Sequence, residues 1–295
     1  MVAPMSTPSL SLRQVPGWHA WSLVPLLLGA FGLAAGAAAQ ELPVPEGKPR
    51  WEAGVAFLGA NSPDYPAAGT RDWRGVIAPI VIYRGPWLRV DDNGVRGRIF
   101  DTEHFELDLS GAAGFNARSN AARAGMPDLD YTLEVGPQAV YRVPLSPGQQ
   151  FSAHLKARGV ISTDGRRTNG RGMVVEQELR WTRRGWPDAA SEAVVAGHVT
   201  WASEDLQDYY YQVEPEQATA VRPAYDARSG YFGSMLRAGL SRRLSSTTAV
   251  SVSGNVNFHG GAANRESPLF ARRTTAGVLF AFIWTPLRSE DTVPR

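Results

Sequence analysis

From Trp51 onward, apolar and polar residues alternate along the chain with a period of two. That is the spacing at which side chains of a pleated strand point to opposite faces. In 105–115, Phe105, Leu107, Leu109, Gly111, Ala113 and Phe115 share one face, and Glu106, Asp108, Ser110, Ala112 and Gly114 share the other. In 151–161, Phe151, Ala153, Leu155, Ala157, Gly159 and Ile161 oppose Ser152, His154, Lys156 and Arg158. In 250–259, Val250, Val252, Gly254, Val256 and Phe258 oppose Ser251, Ser253, Asn255, Asn257 and His259. Further strands are predicted over 51–59, 75–84, 86–91, 94–100, 131–143, 172–183, 192–204, 230–242 and 272–284, which makes twelve.

The connections between these segments sort by parity. On one side they are about 60–74, 92–93, 116–130, 163–171, 205–229 and 260–271, all but one of them long. On the other side they are Gly85, 101–103, 144–148, 185–191 and 243–247, all of them short. A soluble sandwich has no reason to sort its loops in this way, whereas an outer-membrane barrel carries long loops outside and short turns on the periplasmic side. Aromatic residues stand near the strand ends, at Trp51, Tyr83, Trp87, Phe115, Tyr131, Tyr141, Trp181, Trp201, Tyr231 and Trp284, as in the girdles of such barrels. In hydrocarbon every backbone N–H and C=O needs an internal partner, and a closed sheet supplies one for each. The expected fold is therefore all-β: an antiparallel transmembrane β-barrel of about 12 strands, following a cleaved signal peptide.

That signal is read at the N-terminus of the 295-residue chain. Arg13 and His19 precede an apolar stretch from Trp21 to Phe31, and Ala37-Ala38-Ala39 gives the small-residue cleavage site before Gln40. Residues 1–39 are expected to be removed during export through the periplasm. Three prolines at 43, 45 and 49 make 40–50 a linker unsuited to helix or ladder bonding. The barrel is expected over 51–284, with 285–295 as a periplasmic tail.

Composition narrows the chemistry. The absence of Cys excludes disulfides, thiolate zinc sites, iron–sulfur clusters and Cys nucleophiles. With 30 basic against 28 acidic residues there is no basic footprint, so no nucleic-acid partner is expected. Nucleophile elbows, zinc-binding His pairs, phosphate loops and dinucleotide fingerprints are absent from the sequence. No catalytic residue, metal site or cofactor is expected. The polar strand faces nominate lumen-lining residues instead: Glu106 and Asp108 on one strand, His154, Lys156 and Arg158 on another, then Glu176, Glu178 and Arg180, then His198. Mixed signs in a barrel interior suit salt-bridged filling more than solute passage, because buried charges must pair. Tyr209, Tyr210 and Tyr211 open the longest connection, either as a membrane-interface anchor or as a contact surface.

Four features resemble the MltA-interacting protein (MipA) / OmpV family of Gram-negative outer-membrane proteins. They are Pro63-Asp64-Tyr65-Pro66 after the first strand, Tyr210-Tyr211-Gln212-Val213 in the longest loop, Ser267-Pro268-Leu269 before the last strand, and the Gly-containing final strand Thr274–Phe282. Gln212 stands where the family usually has Gly. The resemblance implies a non-enzymatic outer-membrane barrel in contact with membrane lipid and lipopolysaccharide. It further implies a scaffold for murein (peptidoglycan) remodelling, with a lytic transglycosylase and a penicillin-binding protein as partners. A porin-like passive channel is the second expectation, and a lipid-modifying barrel enzyme the third.

Overall fold

The computed structural model describes residues 48–293, apart from 85–87, 92–93, 98–99 and 103. The expected signal peptide, the linker as far as Gly47, and Trp87 lie outside the described residues. The chain runs β1 (Lys48–Pro49), β2 (Trp51–Pro63), β3 (Arg71–Arg84), β4 (Leu88–Asp91), β5 (Gly94–Gly97), β6 (Phe100–Asp101), β7 (Phe105–Gly114) and β8 (Tyr131–Ser146). It continues with β9 (Gln149–Thr163), β10 (Thr168–Arg184), β11 (Ser191–Ala202), helix α1 (Glu204–Tyr211), β12 (Gly230–Arg243), β13 (Thr248–Phe258), β14 (Thr274–Arg288) and β15 (Thr292–Val293). No helix among the described residues is long and apolar enough to cross a membrane.

Strands β2 to β14 form one antiparallel sheet in which each long strand pairs with its neighbours in the chain. The last long strand returns to the first, with Phe282 opposite Phe57 and Trp284 opposite Val55. The ends of the sheet order, β5 and β6, are consecutive in the chain, and β5 lies against β7. The sheet is thus curled through most of a circuit. Ten of the expected strands are at least ten residues long. The two expected at 86–91 and 94–100 are present as the four-residue β4 and β5, with β6 a separate pair of residues.

Strand faces follow the predicted alternation, with the burial of a soluble protein reversed. Outward side chains are apolar and exposed: Ile77 at 70%, Leu179 and Leu236 at 57%. Inward ones are charged and buried: Asp108 at 0%, Glu178 at 3%, Arg158 at 5%. Such an inversion is stable only where the outer face meets hydrocarbon. Trp51, Tyr141, Trp186 and Trp284 are exposed toward the short-turn end, and Trp73 and Trp201 toward the long-loop end.

Several strand ends run past expectation, β2 to Pro63, β3 from Arg71 and β8 to Ser146 among them, and three further differences bear on the architecture. The connection expected at 163–171 is a tight turn, because β9 and β10 run on to Thr163 and Thr168. Asp164 closes it by accepting from the N–H groups of Arg166 and Arg167, while Gly165 takes a positive φ of 89°. Strand β14 extends to Arg288, four residues past Trp284. Finally, Lys48 and Pro49 pair with Val293 and Thr292, and Arg50 N–H donates to Asp291 O. Proline at 49 permits this because the ladder has only two residues, an edge where one missing donor is tolerated. Linker and tail therefore meet at the short-turn end.

Candidate functional site

The curled sheet encloses a cavity of about 820 Å³. All nine residues nominated as lumen-lining face it: Glu106, Asp108, His154, Lys156, Arg158, Glu176, Glu178, Arg180 and His198. Strand register explains how charges far apart in sequence become neighbours. Glu176 stands opposite Lys156, and Glu178 stands opposite His154 on one side and His198 on the other.

At the centre Lys156 Nζ donates to Glu176 Oε1 and to Glu178 Oε2, both at 2.7 Å. Arg158 bridges Glu134, 2.8 Å from Nε, and Glu176, 3.0 Å from its terminal nitrogen. Arg180 Nε donates to Glu178 Oε1 at 2.6 Å, and His198 Nδ1 lies 3.4 Å from Glu176 Oε2. Arg142 pairs with Glu106. Glu134, Arg142 and Arg237 complete this charged wall. The first two follow the same period-two parity along β8, which is the signal that would have found them. The opposite wall is apolar, with Ala56, Leu58, Ala60, Ala78 and Ala281 buried on β2, β3 and β14.

The histidines do not converge. His154 Nε2 is 2.9 Å from Ser152 Oγ, and His259 Nε2 is 3.2 Å from Thr275 Oγ1 at the rim. Among the described residues, Glu176, Glu178 and His198 are the group whose ligand atoms come near enough for a metal. Both carboxylates are already bound by Lys and Arg, so a cation there would have to displace three built-in ones.

Over the long-loop mouth, four connections fold into a cap with its own core. Tyr65, Ala68, Ala117, Leu129, Tyr211, Val213, Ala227 and Leu269 are buried together, flanked by Tyr210, Phe232 and Phe270. Helix α1 lies in the mouth, where Leu206 packs on the inward side chains Val160, Val174 and Ala202. Alone, eight residues would not hold a helix, so this packing is what holds it. Glu204 and Asp205 in its first turn suit the helix dipole.

The short motifs that carried the family resemblance meet here. Tyr65 OH donates to Leu269 O at 2.8 Å, Tyr211 OH to Pro66 O at 2.9 Å, and Ser267 Oγ to Tyr211 O at 2.8 Å. Pro63 and Asp64 line the cavity just below, and Pro268 lies between Ser267 and Leu269. Tyr210 and Tyr211 are interior residues of the cap, in place of the membrane anchor or contact surface expected from the Tyr run. Ring contacts of 5.9 Å and 6.2 Å to Phe232 and 6.3 Å from Tyr211 to Phe270 account for their retention. Gln212 uses its side chain here, Oε1 accepting from Ala227 N–H at 2.7 Å. The residues that sequence reasoning missed are the cap's polar braces. Asn264 links Gln207 and Arg228, and Arg222 donates to Ala122, Ala124 and Gln217 carbonyls. No periodicity marks residues in loops, so these had no signal.

The cap also contains two acids with opposite shifts. Burial alone would raise the Asp64 carboxyl, but hydrogen bonds from Thr70, Arg74 and Asn120 hold it below its usual range. Burial and the nearby Glu204, Asp205, Asp226 and Glu214 push Asp208 up to about 6.

Against known proteins, the family model described as MltA-interacting protein MipA matches residues 54–286. The chain belongs to the MipA family. Among the curated proteins none matches it. Of solved structures, it is similar to an outer-membrane channel from Pseudomonas putida F1 at 11% identity, covering 82% of this chain and 96% of that one, with a TM-score of 0.44. It is also similar to a bacterial polysaccharide outer membrane secretin at 9% identity, covering 79% and 98%, with a TM-score of 0.40. The NanC porin aligns at 8% identity over 79% and 100%, with a TM-score of 0.38. This MipA-family chain thus combines a curled sheet, a lumen with one ion-paired wall and a loop cap that unites the short family motifs.

Proposed function

We propose that this protein is a non-enzymatic outer-membrane β-barrel, sealed to solutes, that serves as a docking scaffold for murein-remodelling enzymes. The observation that carries the reading is the cap. A passive channel needs an open mouth, whereas here Tyr211 and Leu269 are completely buried at the mouth by four loops packed together. Below them, Lys156, Arg158 and Arg180 are tied to acidic partners on the same and adjacent strands, so the charged wall of the lumen carries fixed ion pairs. A barrel with both features has little to offer as a conduit, and its outward surfaces remain for interaction. In this reading the short turns, with Lys48–Pro49 and Thr292–Val293 beside them, face the periplasm, within reach of enzymes acting on murein. The family's description names MltA as a partner, and a lytic transglycosylase together with a penicillin-binding protein is the pairing proposed here. The paired Lys48–Pro49 and Thr292–Val293 segments offer a defined surface on that side.

Two measurements test this. In a planar bilayer the purified protein is expected to show no steady current, and an ohmic pore open at rest would favour the channel reading. In detergent extract the protein is expected to retain a lytic transglycosylase. Failure to retain either murein enzyme under gentle extraction would remove the scaffold role while leaving the barrel intact.

A further inference from the structure

A second concavity, of about 600 Å³, lies on the outer wall near the short-turn end. It is formed by a patch of small residues among large ones. Ala193, Ala238 and Gly254 stand on adjacent strands, and Trp181, Trp186 and Leu240 rise round them. The volume falls within the roughly 300–1,000 Å³ of ordinary ligand clefts. Lining residues are almost all apolar, and the one charged group is Arg183.

Several cations at this end are already held by carboxylates. Arg84 pairs with Glu52, Arg184 with Glu192, and Arg242 with Asp188. The Arg183 guanidinium has no ion pair among the described residues, and it follows Trp181 by one outward step along β10. Tryptophans at this level mark the boundary between hydrocarbon and head groups. An apolar recess directly below that boundary, with an unpaired cation at its rim, matches one chemistry: an acyl chain below and a phosphate above.

We infer that this groove is a specific binding site for one anionic glycerophospholipid of the periplasmic leaflet, its chain in the Trp181/Gly254 recess and its phosphate on Arg183. The inference rests on the membrane-barrel reading given above. Gly254 offers a clean way to close the site. A Cβ added there would meet only Gly277 O, at 3.9 Å, so a larger side chain enters the groove without disturbing the sheet.

The test uses the full mature chain in mild detergent, with native mass spectrometry after addition of dioleoyl phosphatidylglycerol or dioleoyl phosphatidylethanolamine. One phosphatidylglycerol is expected to stay bound preferentially. Arg183→Ala should weaken its retention about five-fold, the effect of one cation at an anionic surface, with a smaller loss for phosphatidylethanolamine, whose own ammonium offsets its phosphate. Gly254→Leu should abolish retention of both lipids. Equal lipid retention by wild type and Gly254→Leu, or no lipid retained by any form, would overturn the site. Circular dichroism and gel heat-modifiability of the same samples separate the two failures. A folded, detergent-bound barrel lacking bound lipid defeats only the groove, whereas a protein that stays folded and monomeric without detergent defeats the barrel.

Discussion

Lys156 is gripped by two carboxylates inside the sheet, so its removal would leave Glu176 and Glu178 facing each other with one compensating charge fewer. Lys156→Met is expected to cost about 3 kcal/mol, the usual consequence of breaking a buried ion pair from one side. Urea unfolding in lipid vesicles measures this. Adding Glu176→Gln and Glu178→Gln to the same variant should not restore the loss, since Arg180 would then lose its carboxylate and Arg158 would keep only Glu134. At Tyr211 the cost divides between hydroxyl and ring. Tyr211→Phe removes one hydrogen bond to Pro66 and should cost about 1 kcal/mol. Tyr211→Ala also empties the centre of the cap and should cost roughly 3–5 kcal/mol. Trypsin cleavage at Arg222 and Arg228 reports cap opening, and equal cleavage of both variants would show that the ring contributes nothing beyond its hydroxyl. The alternation in β9 and β10 already reveals that Lys156, Glu176 and Glu178 face inward. It does not reveal which pairs touch, because partnership depends on register between strands, and period-two patterns are unchanged by sliding one strand two residues past another.

Among the elements, the strands and the cap were legible to different degrees. Strands with a buried charged face and an exposed apolar one announce themselves, whereas the cap is built from loops whose residues have no common period. Helix α1 belongs to the second kind: its sequence, EDLQDYYY, becomes helical because Leu206 and Tyr211 have surfaces to rest on. The cap's response to pH follows from its two acids. Asp208 has its folded value raised to about 6, above that of an unfolded carboxyl, so the native cap binds the extra proton. Its contribution is therefore most favourable below the unfolded value and is lost as pH rises through about 6. Asp64 works the other way, contributing at neutral pH and losing its contribution only well into acid. The cap should accordingly be more resistant to protease at pH 5 than at pH 7.5, with Asp208→Asn equally resistant at both. Protection that falls between pH 7.5 and pH 5 in the wild type would contradict this assignment.

For the molecule as a whole, the relevant property is whether the cap or the charge pairs close the lumen. Deleting 205–228 removes α1 apart from Glu204 and takes Tyr211, Val213 and Ala227 out of the cap core while sparing the central ion pairs. That variant is expected to fold, because the paired strands are untouched, and to pass only a small, intermittent current. Adding Lys156→Ala, Glu176→Ala and Glu178→Ala shortens three side chains on the charged wall and should then widen the path and raise conductance further. If the loop deletion by itself gives a large steady current, the charge pairs are not a barrier. The pattern of residues along the chain was enough to determine an all-β membrane-type sheet, which side chains face in, and the uneven distribution of loop lengths, since each depends on local alternation. Only the three-dimensional structure decided that β14 pairs with β2, that the three short family motifs meet in one cap, that Tyr210 and Tyr211 are interior, and that linker and tail form a ladder. These depend on contacts between segments far apart in the chain, such as Tyr65 and Leu269, 204 residues from each other. Such contacts are selected by how well distant surfaces fit, and no local repeat in the chain encodes that fit.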